Sequence, residues 1–135
     1  MKAARILTLS MLALLAGPLA AQFGQNIVQY DQYDWNYIQS PYFDIYFYGD
    51  DLSLAEFTSE IADEAYRQIS DRLNWQIQKR VSIMVYRSHA DFQQTNVTFS
   101  YMYEGIGGVT ELLKNRVVVP FEGSYDDFRH VIRHE

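Results

Sequence analysis

FDIYFYGDDLSLAEFTSEIADEAYRQISDRLNWQIQKRVSIMVY, residues 43–86, is the stretch whose reading decides the fold. Phe43 to Tyr48 alternates and is rich in β-formers, and Gly49, Asp50 and Asp51 close it as a turn, so a strand is expected there. Ser53, with Glu56 three positions on, reads as a capping box. Leu54, Phe57, Ile61, Ala65, Ile69 and Leu73 follow at spacings of three and four, which predicts an amphipathic helix of about five turns. Its outer charges, Glu60, Asp63, Glu64, Arg67, Asp71 and Arg72, form a solvated face with no assigned chemistry. Val81 to Tyr86 is again β-rich. Strand, helix and strand make a β-α-β unit, whose two strands should lie parallel with a right-handed crossover.

Beyond that unit, His89 falls in a loop or at the cap of a short helix from Ala90 to Gln94, where a lone histidine needs no ligand role. Asn96 to Thr98 matches a glycosylation acceptor pattern short enough to arise by chance. The glycines at 105, 107 and 108 do not make a phosphate loop, since no clear strand precedes them and no helix opens after them. They are expected to let the backbone turn or bulge into the next strand, Arg116, Val117, Val118 and Val119, which Pro120 stops. A proline there suits a strand end or a sheet edge. An edge strand can add an extended peptide by main-chain hydrogen bonds, although an ordinary structural strand fits the residues equally well.

Ser124 followed by Asp127 reads as a helix N-cap with an acidic first turn, and Phe128, Val131 and Ile132 recur as a buried stripe. The helix is expected to be still running at Glu135. His134 and Glu135 are the first half of H-E-x-x-H, in which two histidines four apart on one helical face reach a single Zn²⁺ and the glutamate serves as general base. The alternative is a short amphipathic helix with solvated His and Arg side chains. His130 and His134 also stand four apart, which offers a separate two-histidine metal site.

Residues 1–21 carry Lys2 and Arg5, an apolar run from Ile6 to Ala16, Pro18, and small residues at Ala20 and Ala21, the layout of a secretory signal peptide. The apolar run is too short to span a bilayer as a stable helix. Of the 11 basic and 17 acidic residues, two basic ones lie in this segment, so nine against 17 leave the remainder with a formal charge of −8. Nucleic acid and anionic membrane surfaces are poor partners for such a chain. There is no cysteine, so a core or a metal must supply the stability. Residues 22–42 read as a polar, Tyr-rich lead-in. The 11 tyrosines are expected to pack ring inward and hydroxyl outward.

From Gly105 to Glu135 the glycine-rich turn, the R-V-x-x-P-F run at Arg116 to Phe121, the polar loop and the opening of H-E-x-x-H together resemble the N-terminal part of peptidase MA-like, gluzincin-type metalloprotease domains of exported bacterial proteins. The resemblance extends loosely back to Phe43. It implies an α+β, zincin-like N-terminal subdomain over 43–135, incomplete at the active-site helix, with a mixed sheet, a β-α-β unit and an edge strand. It implies that His134 is a ligand of Zn²⁺ and Glu135 the general base of a peptidase acting on peptides or proteins. The second histidine and a third ligand would lie past Glu135, so the 135 residues alone are expected to bind zinc weakly and to hydrolyse nothing. Relatives of this kind often carry a C-terminal TolB-like β-propeller. The expected location is the periplasm, cell envelope or exterior, with no membrane contact beyond the signal segment. A non-catalytic binding or scaffold domain of the same fold is the alternative.

Overall fold

The computed structural model describes residues 31–95 and 105–135. Residues 1–21, with their signal-peptide layout, and the Asn96 to Thr98 pattern lie outside them. The described residues form a mixed five-stranded sheet and three helices, an α+β fold. The elements are β1 (Trp35–Gln39), β2 (Phe43–Tyr48), α1 (Leu52–Leu73), β3 (Val81–Tyr86), α2 (His89–Gln93), β4 (Val109–Glu111), a 3₁₀ turn (Leu112–Lys114), β5 (Arg116–Pro120) and α3 (Tyr125–His134).

Sheet order is β1-β2-β3-β5-β4. The three inner strands are parallel, with Phe43 opposite Val81 and Ile83 opposite Val117. The two outer strands run antiparallel to their neighbours. The expected β-α-β unit is therefore present. Strand period sorts the side chains onto two faces. Ile45, Phe47, Ile83, Val85, Val117 and Val119 pack under α1 and α3, together with Leu54, Ile61, Phe128 and Ile132. Tyr48, Tyr86 and Val118 turn to the opposite face and pack with Phe92 of α2.

Three expectations need correction. The lead-in contains a strand, β1, which polar residues disguise because only Trp35 and Ile38 are partly covered. The α1 cap is not Ser53. The helix starts at Leu52, Asp51 takes the N-cap position without a side-chain cap bond, and its carboxylate meets Arg87 Nε at 2.6 Å. Gly49, at φ +67°, turns the chain early enough for this. Finally, Arg116 to Val119 is not the sheet edge. Arg116, Val117 and Val118 pair with Glu111, Thr110 and Val109, so among the described residues β4 is the outermost strand on that side.

Pro120 is compatible with an inner strand because of where its missing N–H points. The Phe121 N–H reaches Tyr86 O at 2.7 Å, so the alternate position, Pro120, faces the β4 side, past the three residues that β4 supplies.

Tyr48 and Tyr86 turn inward with their hydroxyls, whereas Tyr37, Tyr42 and Tyr125 stay exposed. Tyr33, Trp35, Tyr48, Tyr86 and Phe92 form an aromatic cluster on the α2 face, with Tyr33 and Tyr48 centroids 4.3 Å apart and Trp35 and Tyr86 5.3 Å apart. Asp91 collects two of the hydroxyls, Tyr48 OH at 2.6 Å and Tyr33 OH at 3.1 Å. Ser88, the α2 N-cap, accepts from the Asp91 N–H at 3.1 Å. Burial, reinforced by the bond to Asp91, pushes the Tyr33 phenol up to about 12 and Tyr48 higher still. Burial also raises Tyr86 to about 12 against the opposing pull of Arg116. All three phenols are hydrogen-bearing at neutral pH, which lets Tyr33 and Tyr48 donate to the Asp91 carboxylate.

Candidate active site

Helix α3 begins as its sequence suggests. Ser124 adopts an extended conformation and accepts from the Asp127 N–H at 3.3 Å. Asp126 and Asp127 lie in the first turn and Arg133 and His134 in the last, each charge complementing the nearer end of the helix dipole. Phe128 and Ile132 are buried against the sheet, and Val131 is partly so. That stripe sets the rotation of the helix, and hence the directions of the two motif residues.

His134 is exposed on the outer side of α3, along an open face shared with Asp126, Arg129, His130 and Arg133. Its neighbour Glu135 turns toward β4 and is half-buried. The Thr110 hydroxyl donates to Glu135 Oε2 at 2.6 Å, and the Glu135 carbonyl oxygen lies 3.4 Å from the same hydroxyl. The stem of the glutamate passes over Gly108. A Cβ on Gly108 would lie 3.2 Å from Glu135 Cγ, 3.1 Å from Glu135 Oε1 and 3.0 Å from Val119 Cγ1. Gly107 is similarly close to α3, with Val131 Cγ2 3.3 Å from the equivalent point.

Neither glycine has a positive φ, unlike Gly49 and Gly123. Gly107 and Gly108 allow the close approach of the β4 end to α3, and Gly105 lies in a turn. This signal was missed in the sequence. A glycine pair followed by a threonine, ahead of a strand that leads into an H-E helix, is the trace it leaves.

On the opposite face of β4, Glu111 receives Lys114 Nζ at 2.9 Å and Arg116 Nε at 2.6 Å. Burial alone would raise its pKa, and the two cations outweigh burial and hold the carboxyl below its usual range. This cluster fixes the turn between β4 and β5. His89, the first residue of α2, bonds Glu122 Oε1 through Nδ1 at 2.9 Å, joining the loops that follow β3 and β5. It is remote in the fold from α3's last turn and acts as a clip.

Among the described residues no three His, Asp or Glu side chains come together as a metal-binding group. His134 offers one imidazole and Glu135 one carboxylate, so the described residues fit a zinc centre only in part. His130 and His134 are both exposed, and among the described residues they belong to no group of three potential metal donors. Among the described residues no helix is long and apolar enough to cross a membrane. Comparison with protein-family models, curated proteins and solved structures gives no match to this chain.

Proposed function

We propose that this chain is the N-terminal part of an exported zinc metallopeptidase of the zincin type, in which His134 is a metal ligand and Glu135 the general base. The observation that carries the reading is the seating of Glu135. A glutamate at the end of an amphipathic helix would ordinarily extend into water, yet this one is drawn onto the end strand of the sheet by Thr110 and the space over Gly108. An extended peptide added along the side of β4 away from β5 would pass this carboxylate, with main-chain hydrogen bonds holding it in register. The substrate-pairing role suggested by the sequence for Arg116 to Val119 thus moves to Val109, Thr110 and Glu111. Bound zinc would polarise a water and a peptide carbonyl. Glu135 accepts a proton from the attacking water and delivers it to the leaving amine.

A second feature supports the same reading. Helices α1 and α3 run in the same direction, since Tyr125 packs on Phe57 at 4.6 Å and Arg133, two turns later, bonds Gln68 further along α1. Past that point lies an apolar groove of about 370 Å³ whose walls include Ile69, Leu73, Trp75, Leu112 and Ile132. Leu73 is 68% exposed and Trp75 59%. A helix continuing from Glu135 along α1 would cover this groove and carry a second histidine one turn beyond His134.

The residues encoded after Glu135 test the proposal. A histidine at the third position, with a glutamate on a later helix, is the expected result. Any residue unable to bind zinc at that third position would end the reading.

A further inference from the structure

We infer that Thr110 is a positioning residue for Glu135, and that Gly108 is required to leave room for it. This rests on the reading of Glu135 as general base. Thr110 is the middle residue of β4 and stands opposite Val117, whose side chain belongs to the core under α1 and α3. Strand alternation therefore turns the Thr110 side chain toward α3 and away from the Glu111, Lys114 and Arg116 cluster. Its hydroxyl has a single proton. At 2.6 Å to Oε2 against 3.4 Å to the carbonyl oxygen, that proton goes to the carboxylate, within the range of a charge-assisted O–H···O⁻ bond.

Glutamate has several freely rotating bonds and loses much rotamer freedom when ordered. A carboxylate at the end of α3 without a donor would sample the solvent. Threonine suits the task because its branched Cβ restricts χ1, so the strand backbone fixes the hydroxyl direction. Gly108 completes the seat. Val119 is fully buried, so a Cβ at 108 would crowd the Glu135 stem, and the glutamate would have to shift by a few tenths of an ångström against its bond to Thr110. The pair thus ties the general base to the strand along which a peptide would lie, and a base held in register with its substrate loses less on reaching the transition state.

The test is kinetic, in the complete gene product with zinc bound and an extended peptide as substrate. Thr110→Val should lower kcat roughly tenfold to a hundredfold, the range seen when the partner of an active-site group is removed, with KM and zinc content unchanged. Thr110→Ser, which keeps the donor, should restore kcat, and Gly108→Ala should lower it. Added to Glu135→Gln, Thr110→Val should cost nothing further, because the two residues act as one unit. Wild-type kcat in Thr110→Val, alongside a nearly inactive Glu135→Gln, would overturn the role of Thr110 alone. A loss that Thr110→Ser fails to rescue, or one that adds to Glu135→Gln, would also overturn it. Full activity in Glu135→Gln, or no zinc-dependent cleavage by the wild type, would remove the general-base reading and this inference with it.

Discussion

Replacing Glu135 by glutamine in the complete gene product is expected to lower kcat for peptide hydrolysis by roughly a hundredfold to ten-thousandfold, the usual contribution of a general acid-base group. The substitution isolates proton transfer from structure. The carboxamide oxygen still accepts from Thr110 and has the same reach over Gly108, so the seat described above remains filled. His134 is untouched, so zinc content should match the wild type. Steady-state assays with and without a chelator, alongside metal analysis, provide the check. Loss of activity together with loss of zinc would point to a broken site, and unchanged activity would show that another group takes the proton.

Phe92→Ala is expected to destabilise the protein by about 3–5 kcal/mol, measured as a shift in the urea or guanidinium unfolding midpoint. Phe92 is completely buried and is the one buried residue of α2, a helix of only five residues. Its ring meets Tyr86 at 6.2 Å and shares the second core with Tyr48 and Val118. So short a helix has little stability of its own. Without Phe92 it would lose its hold on the sheet, and Asp91 would leave the Tyr33 and Tyr48 hydroxyls. A loss of this size is a large share of typical domain stability. Leu113→Ala, at a fully exposed position, is the control and should shift the midpoint by no more than about 0.5 kcal/mol. A Phe92 variant as stable as that control would mean that the aromatic cluster does not hold α2.

Much of the fold was legible because its central elements carry strong local patterns. Phe43 to Tyr48 and Val81 to Tyr86 form strands over the very residues their β-rich composition marks, and α3 starts at the cap its sequence offers. What escaped was decided by distant contacts. Strand β1 is polar and lies at one end of the sheet, so Asn36 and Gln39 could remain exposed and blur the alternation. Strand β4 has three residues, too few to show a period. Pro120 suggested an edge, and only the register shows that its missing N–H lies past the end of β4.

The candidate site was legible to a similar degree. His134 and Glu135 stand out as the first half of the proposed H-E-x-x-H, but the partner that seats Glu135 stands 25 residues earlier on another element. The spacing puts Ile69 and Leu73 on the apolar side of α1, and they border an open groove, because helix periodicity tells which side is apolar and not what covers it.

The most direct measurement is the zinc content of the complete gene product purified without added metal, compared with its His134→Ala variant. The account predicts about one zinc per chain in the wild type and a loss of most of it in the variant, with the fold retained by circular dichroism. A wild-type protein that holds no zinc, or a His134→Ala variant that holds as much as the wild type, would contradict it.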